Sequence, residues 1–152
     1  CLDSSLLYLL ARQQTKGEFV KRVSPVIEKY MSYTPLKINF DSTLDEATEV
    51  MAKNHIRHLP VTKSGDYLGI ISERDIKTAL SMAGADARQI KVGDISDNHP
   101  FVTGPSAKLS EVAARMASEK IGSVLVLDNK KLVGILTTTD ICKALSEICE
   151  DQ

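Results

Sequence analysis

The spacing of apolar and polar positions over residues 35–82 recurs over residues 100–149. Pro35 opens the short extended stretch "PLKIN" and Pro100 opens "PFVTG". Proline suits a strand's start or edge because it has no N–H to give to a ladder. Leu44, Ala47 and Met51 then fall at i, i+3 and i+7, and Leu109, Val112, Ala113 and Met116 make the same stripe. Each stripe predicts a helix with its methionine in the core. Thr43 and Glu46 have the T-x-x-E spacing of a capping box.

Two apolar runs around a polar turn follow in each copy. The first copy has "HLPVT", Lys63-Ser64-Gly65-Asp66 and "YLGIIS"; the second has "SVLVL", Asp128-Asn129-Lys130-Lys131 and "LVGILT". Aliphatic and β-branched runs about a turn predict a β-hairpin buried on at least one face. A second helix closes each copy, over residues 73–82 and 138–149.

Residues 44–80 overlie 109–145 without a gap at a constant offset of 65, and twelve of the 37 pairs are identical. Leu44/Leu109, Met51/Met116, Gly69/Gly134, Asp75/Asp140 and Ala79/Ala144 are among them. Unrelated chains of ordinary composition would share about two or three, so the chain carries a tandem duplication. One β-α-β-β-α copy of about 60 residues buries too little to be stable alone. The copies are therefore expected to pack through their sheets about a pseudo-twofold axis, giving an α+β fold in which any junctional cleft occurs twice. Repeat boundaries are expected at 26–84 and 85–152, with residues 1–25 a lead helix or linker.

Nineteen Lys and Arg against 20 Asp and Glu leave a net charge of −1, no global field for a polyanion, so nucleic acid is not favoured. The run "LLYLL" at residues 6–10 is far shorter than the roughly 20 residues of a membrane span. It also lacks the cationic leader of a signal peptide. Cys1, Cys142 and Cys149 have no C-x-x-C spacing; Cys142 and Cys149, seven apart on one face of the closing helix, read as buried or half-buried thiols, and an odd count with no framework fits a reducing, cytoplasmic setting. A first residue of Cys, not Met, leaves open a regulatory fragment of a larger enzyme, transporter or channel.

The informative chemistry lies in "GIISERD" (69–75) and "GILTTTD" (134–140). Ser72-x-x-Asp75 and Thr137-x-x-Asp140 have the spacing of a helix N-cap with an acidic third residue, which by itself explains both. The same geometry also suits a nucleotide. A strand running into a helix leaves backbone N–H groups for an anion, a hydroxyl adds a donor, and an Asp in the first turn can accept from a ribose diol. His58 and His55 straddle a helix-to-strand transition, so convergence on a metal is not implied; His99, Asp94 and Asp97 read as solvated loop residues. No nucleophile–base arrangement, P-loop or G-x-G-x-x-G is present, so catalysis is not expected.

"RHLPV" (57–61), "GIISERD", "GILTTTD" and the Pro-strand-capped-helix openings together resemble the tandem CBS-domain pair, or Bateman module, over residues 25–147. The resemblance implies a non-catalytic sensor of adenosyl ligands (AMP, ADP, ATP or a relative), with no required cofactor, and a homodimer forming a disc of four repeats. It further implies that one cleft uses Ser72, Arg74, Asp75 and Ile70 with Ile121 and Gly122 of the other copy. Its twin would use Thr137, Thr139, Asp140 and Ile135 with Ile56, Arg57 and His58. Arg57 and His58 correspond to Gly122 and Ser123, which makes the Asp140 cleft the expected tighter site, although Arg74 acts the other way. A structural dimerisation module with empty clefts is the alternative.

Overall fold

A computed structural model describes residues 23–84 and 89–150; most of the expected lead helix lies outside the described residues. After a 3-10 turn at Ile27–Lys29, the first half contains β1 (Ser32–Tyr33), β2 (Ile38–Asn39), α1 (Leu44–Asn54), β3 (His58–Lys63), β4 (Asp66–Ser72) and α2 (Glu73–Ala83). The second contains α3 (Val92–Ile95), β5 (Val102–Thr103), α4 (Leu109–Glu119), β6 (Ser123–Asp128), β7 (Lys131–Thr137) and α5 (Thr138–Glu150). Each predicted hairpin forms, and its turn places two residues in the left-handed region. These are Ser64 (φ 53°) with Gly65 (φ 92°), and Asn129 (φ 47°) with Lys130 (φ 65°). Such turns match the twist of the strands they join.

One sheet runs β2-β3-β4 and the other β1-β7-β6-β5. β2 is parallel to β3, and β5 to β6, so α1 and α4 are the crossovers that parallel pairing requires. The helical stripes fill the two repeat cores. Leu44, Ala47 and Met51 pack with Leu59, Val61 and Ile71; Leu109, Val112 and Met116 pack with Val124, Val126 and Leu136. A third cluster joins the sheets, with Ile70 from the first copy against Leu125 and Ile135 from the second.

The segment leading into each copy packs on the other. Ile27, fully buried, lies in the second repeat's core, and its N–H bonds the Ala107 carbonyl at 2.9 Å. Val92, 65 positions later and also fully buried, lies in the first repeat's core and bonds the Ser42 carbonyl at 2.8 Å. Ser32 pairs with Ile135 as Asp97 pairs with Ile70. The conserved register of 65 thus extends back to residue 27, where side-chain identity no longer reveals it.

These crossings need the glycines of the two motifs. A Cβ on Gly69 would collide with the Asp97 carbonyl, and one on Gly134 would come within 2.6 Å of the Met31 sulfur. Both glycines thus admit a backbone segment from the other half of the chain, β1 at Gly134 and the Asp97 bridge at Gly69. One sequence expectation fails: Cys142 and Cys149 are exposed. Ile141, Ala144 and Ile148 take the inner face of α5, and the two thiols fall on the opposite side of the helix.

Candidate functional site

At both strand-to-helix junctions the cap forms. Asp75 Oδ2 accepts from the Ser72 N–H (2.8 Å) and the Ser72 hydroxyl (2.6 Å), and the Asp75 N–H bonds back to Ser72 Oγ at 3.2 Å. Asp140 Oδ2 accepts from the Thr137 N–H (2.8 Å) and hydroxyl (2.7 Å) in the same way. Among the described residues nothing donates to Oδ1 of either aspartate. The cap therefore occupies one oxygen of each aspartate and leaves the other without a donor among these residues. The backbone offers less than the sequence implied: the Glu73 and Thr138 N–H groups go to the Arg57 and Gly122 carbonyls at 2.9 and 3.1 Å. Arg74 and Thr139 keep the open backbone donor of each first turn.

Two cavities flank these junctions, and each draws on both repeats. The first, about 1060 Å³, is lined by Ile70, Ser72, Arg74 and Asp75 from the first copy and by Ile121 and Gly122 from the second. The second, about 370 Å³, is lined by Ile135, Thr137, Thr139 and Asp140 together with Ile56. Arg57 and His58 line both cavities, so they do not distinguish the clefts as the expected ranking required. The Arg57 guanidinium lies 3.5 Å from Thr139 Oγ1, and His58 leans on the backbone of Gly122, where a Cβ would stand 3.1 Å from its Nε2.

Several lining residues escape a reading by motif. Lys77, Phe101 and Lys120 join the first cavity; Tyr33, Leu36 and Lys143 join the second. The offset of 65 pairs Leu36 with Phe101 and His55 with Lys120, and that register was the available signal. His55 (φ 53°) and Lys120 (φ 57°) are left-handed caps ending α1 and α4.

Burial, then the neighbouring charge of Arg57, holds the His58 imidazole below its ordinary value of 6.5; Asp75 opposes the shift and Arg74 adds to it. His99 and Asp97 line the rim of the first cavity and are exposed. Among the described residues no three His, Cys, Asp or Glu side chains converge as a metal site would need. No helix there is long and apolar enough to cross a membrane.

Comparison with known proteins agrees with this architecture. The family model for the CBS domain matches residues 16–82 and 92–147. A CBS domain-containing protein of Dictyostelium discoideum is 31% identical over 136 residues, covering 82% of this chain and 94% of that protein. Inosine-5'-monophosphate dehydrogenase of Bifidobacterium longum is 33% identical over 134 residues, 86% of this chain but 23% of the enzyme. The crystal structure of the CBS domain pair of protein MJ0100, in complex with 5-methylthioadenosine and S-adenosyl-L-methionine, superposes with a TM-score of 0.72 at 25% identity. That match covers 79% of this chain and 98% of the other.

Proposed function

This chain belongs to the CBS domain family, and from that premise we propose that its two clefts bind adenosine-containing ligands and report their occupancy as a change in the packing of the two repeats. One observation carries the reading. Each cleft holds a half-buried aspartate at a helix start that lines a cavity drawn from both repeats, with one carboxylate oxygen committed to the cap and the other without a donor among the described residues. A ribose diol donates to the open oxygen, and the base lies against Ile70 and Ile121 in one cleft and against Ile135 and Ile56 in the other. Because each ligand touches both repeats, it stabilises one relative arrangement of them, which is the differential affinity that a switch requires.

The module is proposed to act as a homodimer. Met82 on α2 and Leu145 on α5, both on closing helices, are 83% and 61% exposed and offer apolar surface for a second chain. Sedimentation at two chain concentrations checks this. The exposed thiols of Cys142 and Cys149 fit a reducing, cytoplasmic setting.

Thermal unfolding with AMP, ATP, S-adenosylmethionine and methylthioadenosine tests the binding. A ligand at one hundred times its Kd stabilises the folded state by about 2.7 kcal/mol, so the midpoint is expected to climb with concentration. Asp75→Asn and Asp140→Asn, which keep a capping oxygen but lose the charge, should each remove the response of one cleft. A wild-type midpoint unmoved by all four compounds would end the reading. A shift undiminished in the double variant would reject the aspartates as ribose ligands.

A further inference from the structure

We infer that the two clefts divide their ligands by phosphate number. The Asp75 cleft takes an adenosine nucleotide with a polyphosphate tail, and the Asp140 cleft takes one with a single phosphate or none. The inference rests on the adenosine reading above and adds a ligand class to each cleft. Its basis is what stands at equivalent positions.

Arg74, Lys77 and Lys120 line the Asp75 cavity and not the other. Their counterparts at the offset of 65 are Thr139, Cys142 and His55, none of which carries a permanent positive charge. Arg74, Lys77, Thr78 and Ser81 all line this cavity and share one face of α2 at i, i+3, i+4 and i+7. With a rise of about 1.5 Å per residue they offer donors along roughly 10 Å of helix, starting beside Asp75. Lys120, the cap that ends α4, lines the same cavity across the junction. Since the cap leaves one open backbone N–H at the start of α2, side chains must hold most of any phosphate charge.

Carboxylates line the cavity too, and each has a partner. Glu73 pairs with Lys77 at 3.1 Å, Asp75 is in the cap, and Asp97 Oδ1 accepts from the His99 N–H at 2.8 Å. The Glu73–Lys77 pair is solvent-exposed and holds Lys77 weakly, so a phosphate displaces it readily. The formal balance of cationic and acidic side chains is the same in the two cavities; the number of cationic donors and the room are not. At about 370 Å³, lined by Lys143 and the shared Arg57, the Asp140 cavity suits a shorter ligand.

The base end differs as well. Phe101 lines the Asp75 cavity with the Arg115 guanidinium 3.9 Å from its ring centroid, and its carbonyl is held by the Leu125 N–H at 2.9 Å. At the offset of 65 the counterpart of Phe101 is Leu36 and that of Leu125 is Pro60, which has no N–H to offer. The larger cavity thus has at this position an aromatic ring anchored through its backbone, whereas the aromatic of the smaller cavity is the exposed Tyr33.

Calorimetric titration of the full chain with ATP and AMP tests the division. In Asp140→Asn, which leaves the Asp75 cleft intact, ATP should bind at least about tenfold tighter than AMP, a gap of roughly 1.4 kcal/mol. In Asp75→Asn the two should bind alike, or AMP more tightly. In Lys77→Ala/Lys120→Ala, on the Asp140→Asn background, the ATP-to-AMP ratio should fall to near one. Equal binding of ATP and AMP in Asp140→Asn, or a preference for ATP that survives loss of both lysines, overturns the division and leaves the adenosine reading standing. If neither nucleotide binds the wild type, both fail together.

Discussion

Gly69 and Gly134 hold equivalent places, yet they tolerate change differently. A Cβ on Gly69 would run into the backbone carbonyl of Asp97, which cannot move without breaking the paired bonds between Ile70 and Asp97 at 2.8 and 2.9 Å. On Gly134 it would meet first the Met31 sulfur, at 2.6 Å, on a side chain that can swing aside. The Ser32 carbonyl lies farther off, at 3.1 Å. The duplication has therefore kept the plan of the junction and not its tightness. The same holds for the clefts beside these glycines, which share a capped aspartate and differ in cations, aromatic lining and size.

The sharpest way to break the comparison is substitution at the glycines. Gly69→Ala is expected to cost about 3 kcal/mol and Gly134→Ala about 1 kcal/mol, read from urea unfolding midpoints. Equal costs would mean that both crossings yield alike. Next come the exchanged anchors: Ile27→Ala should destabilise by about 3 kcal/mol and Val92→Ala by about 2 kcal/mol, since each empties a fully buried site in the opposite repeat. An unchanged unfolding midpoint in Ile27→Ala would show that the first leader does not hold the second repeat.

The caps come third. Ser72→Ala and Thr137→Ala each remove one side-chain cap, at about 1 kcal/mol. The 3.2 Å bond at Ser72, against 3.4 Å at Thr137, makes the first the costlier by the same unfolding assay. The smallest effect is that of pH. His58 binds its proton less readily folded than unfolded, so below its ordinary value of 6.5 the unfolded chain holds more protons and stability falls as pH falls. The wild-type midpoint should therefore drop more between pH 7 and 5.5 than that of His58→Gln. A phosphate entering beside His58 favours the charged imidazole, so AMP should bind more tightly at pH 6 than at pH 7.5 in the wild type, a difference reduced in His58→Gln.

The repeat, its helices, hairpins and caps were legible in the sequence because each is a local pattern: a stripe at helical spacing, an apolar run about a turn, or a hydroxyl three residues before a carboxylate. Sequence read together with the family resemblance also named Asp75, Asp140 and the residues around them. The exposure of Cys142 and Cys149 was not legible, since α5 carries apolar side chains on both faces and only packing selects Ile141, Ala144 and Ile148 for the core.

Tertiary structure alone decided three further things: that Ile27 and Val92 are exchanged between cores, that Arg57 and His58 stand between both cavities, and that Lys77, Phe101 and Lys120 face the larger one. The physical reason is the same in each case. These placements depend on contacts between segments far apart in the chain, and periodicity records which face of an element is apolar but not which distant surface covers it.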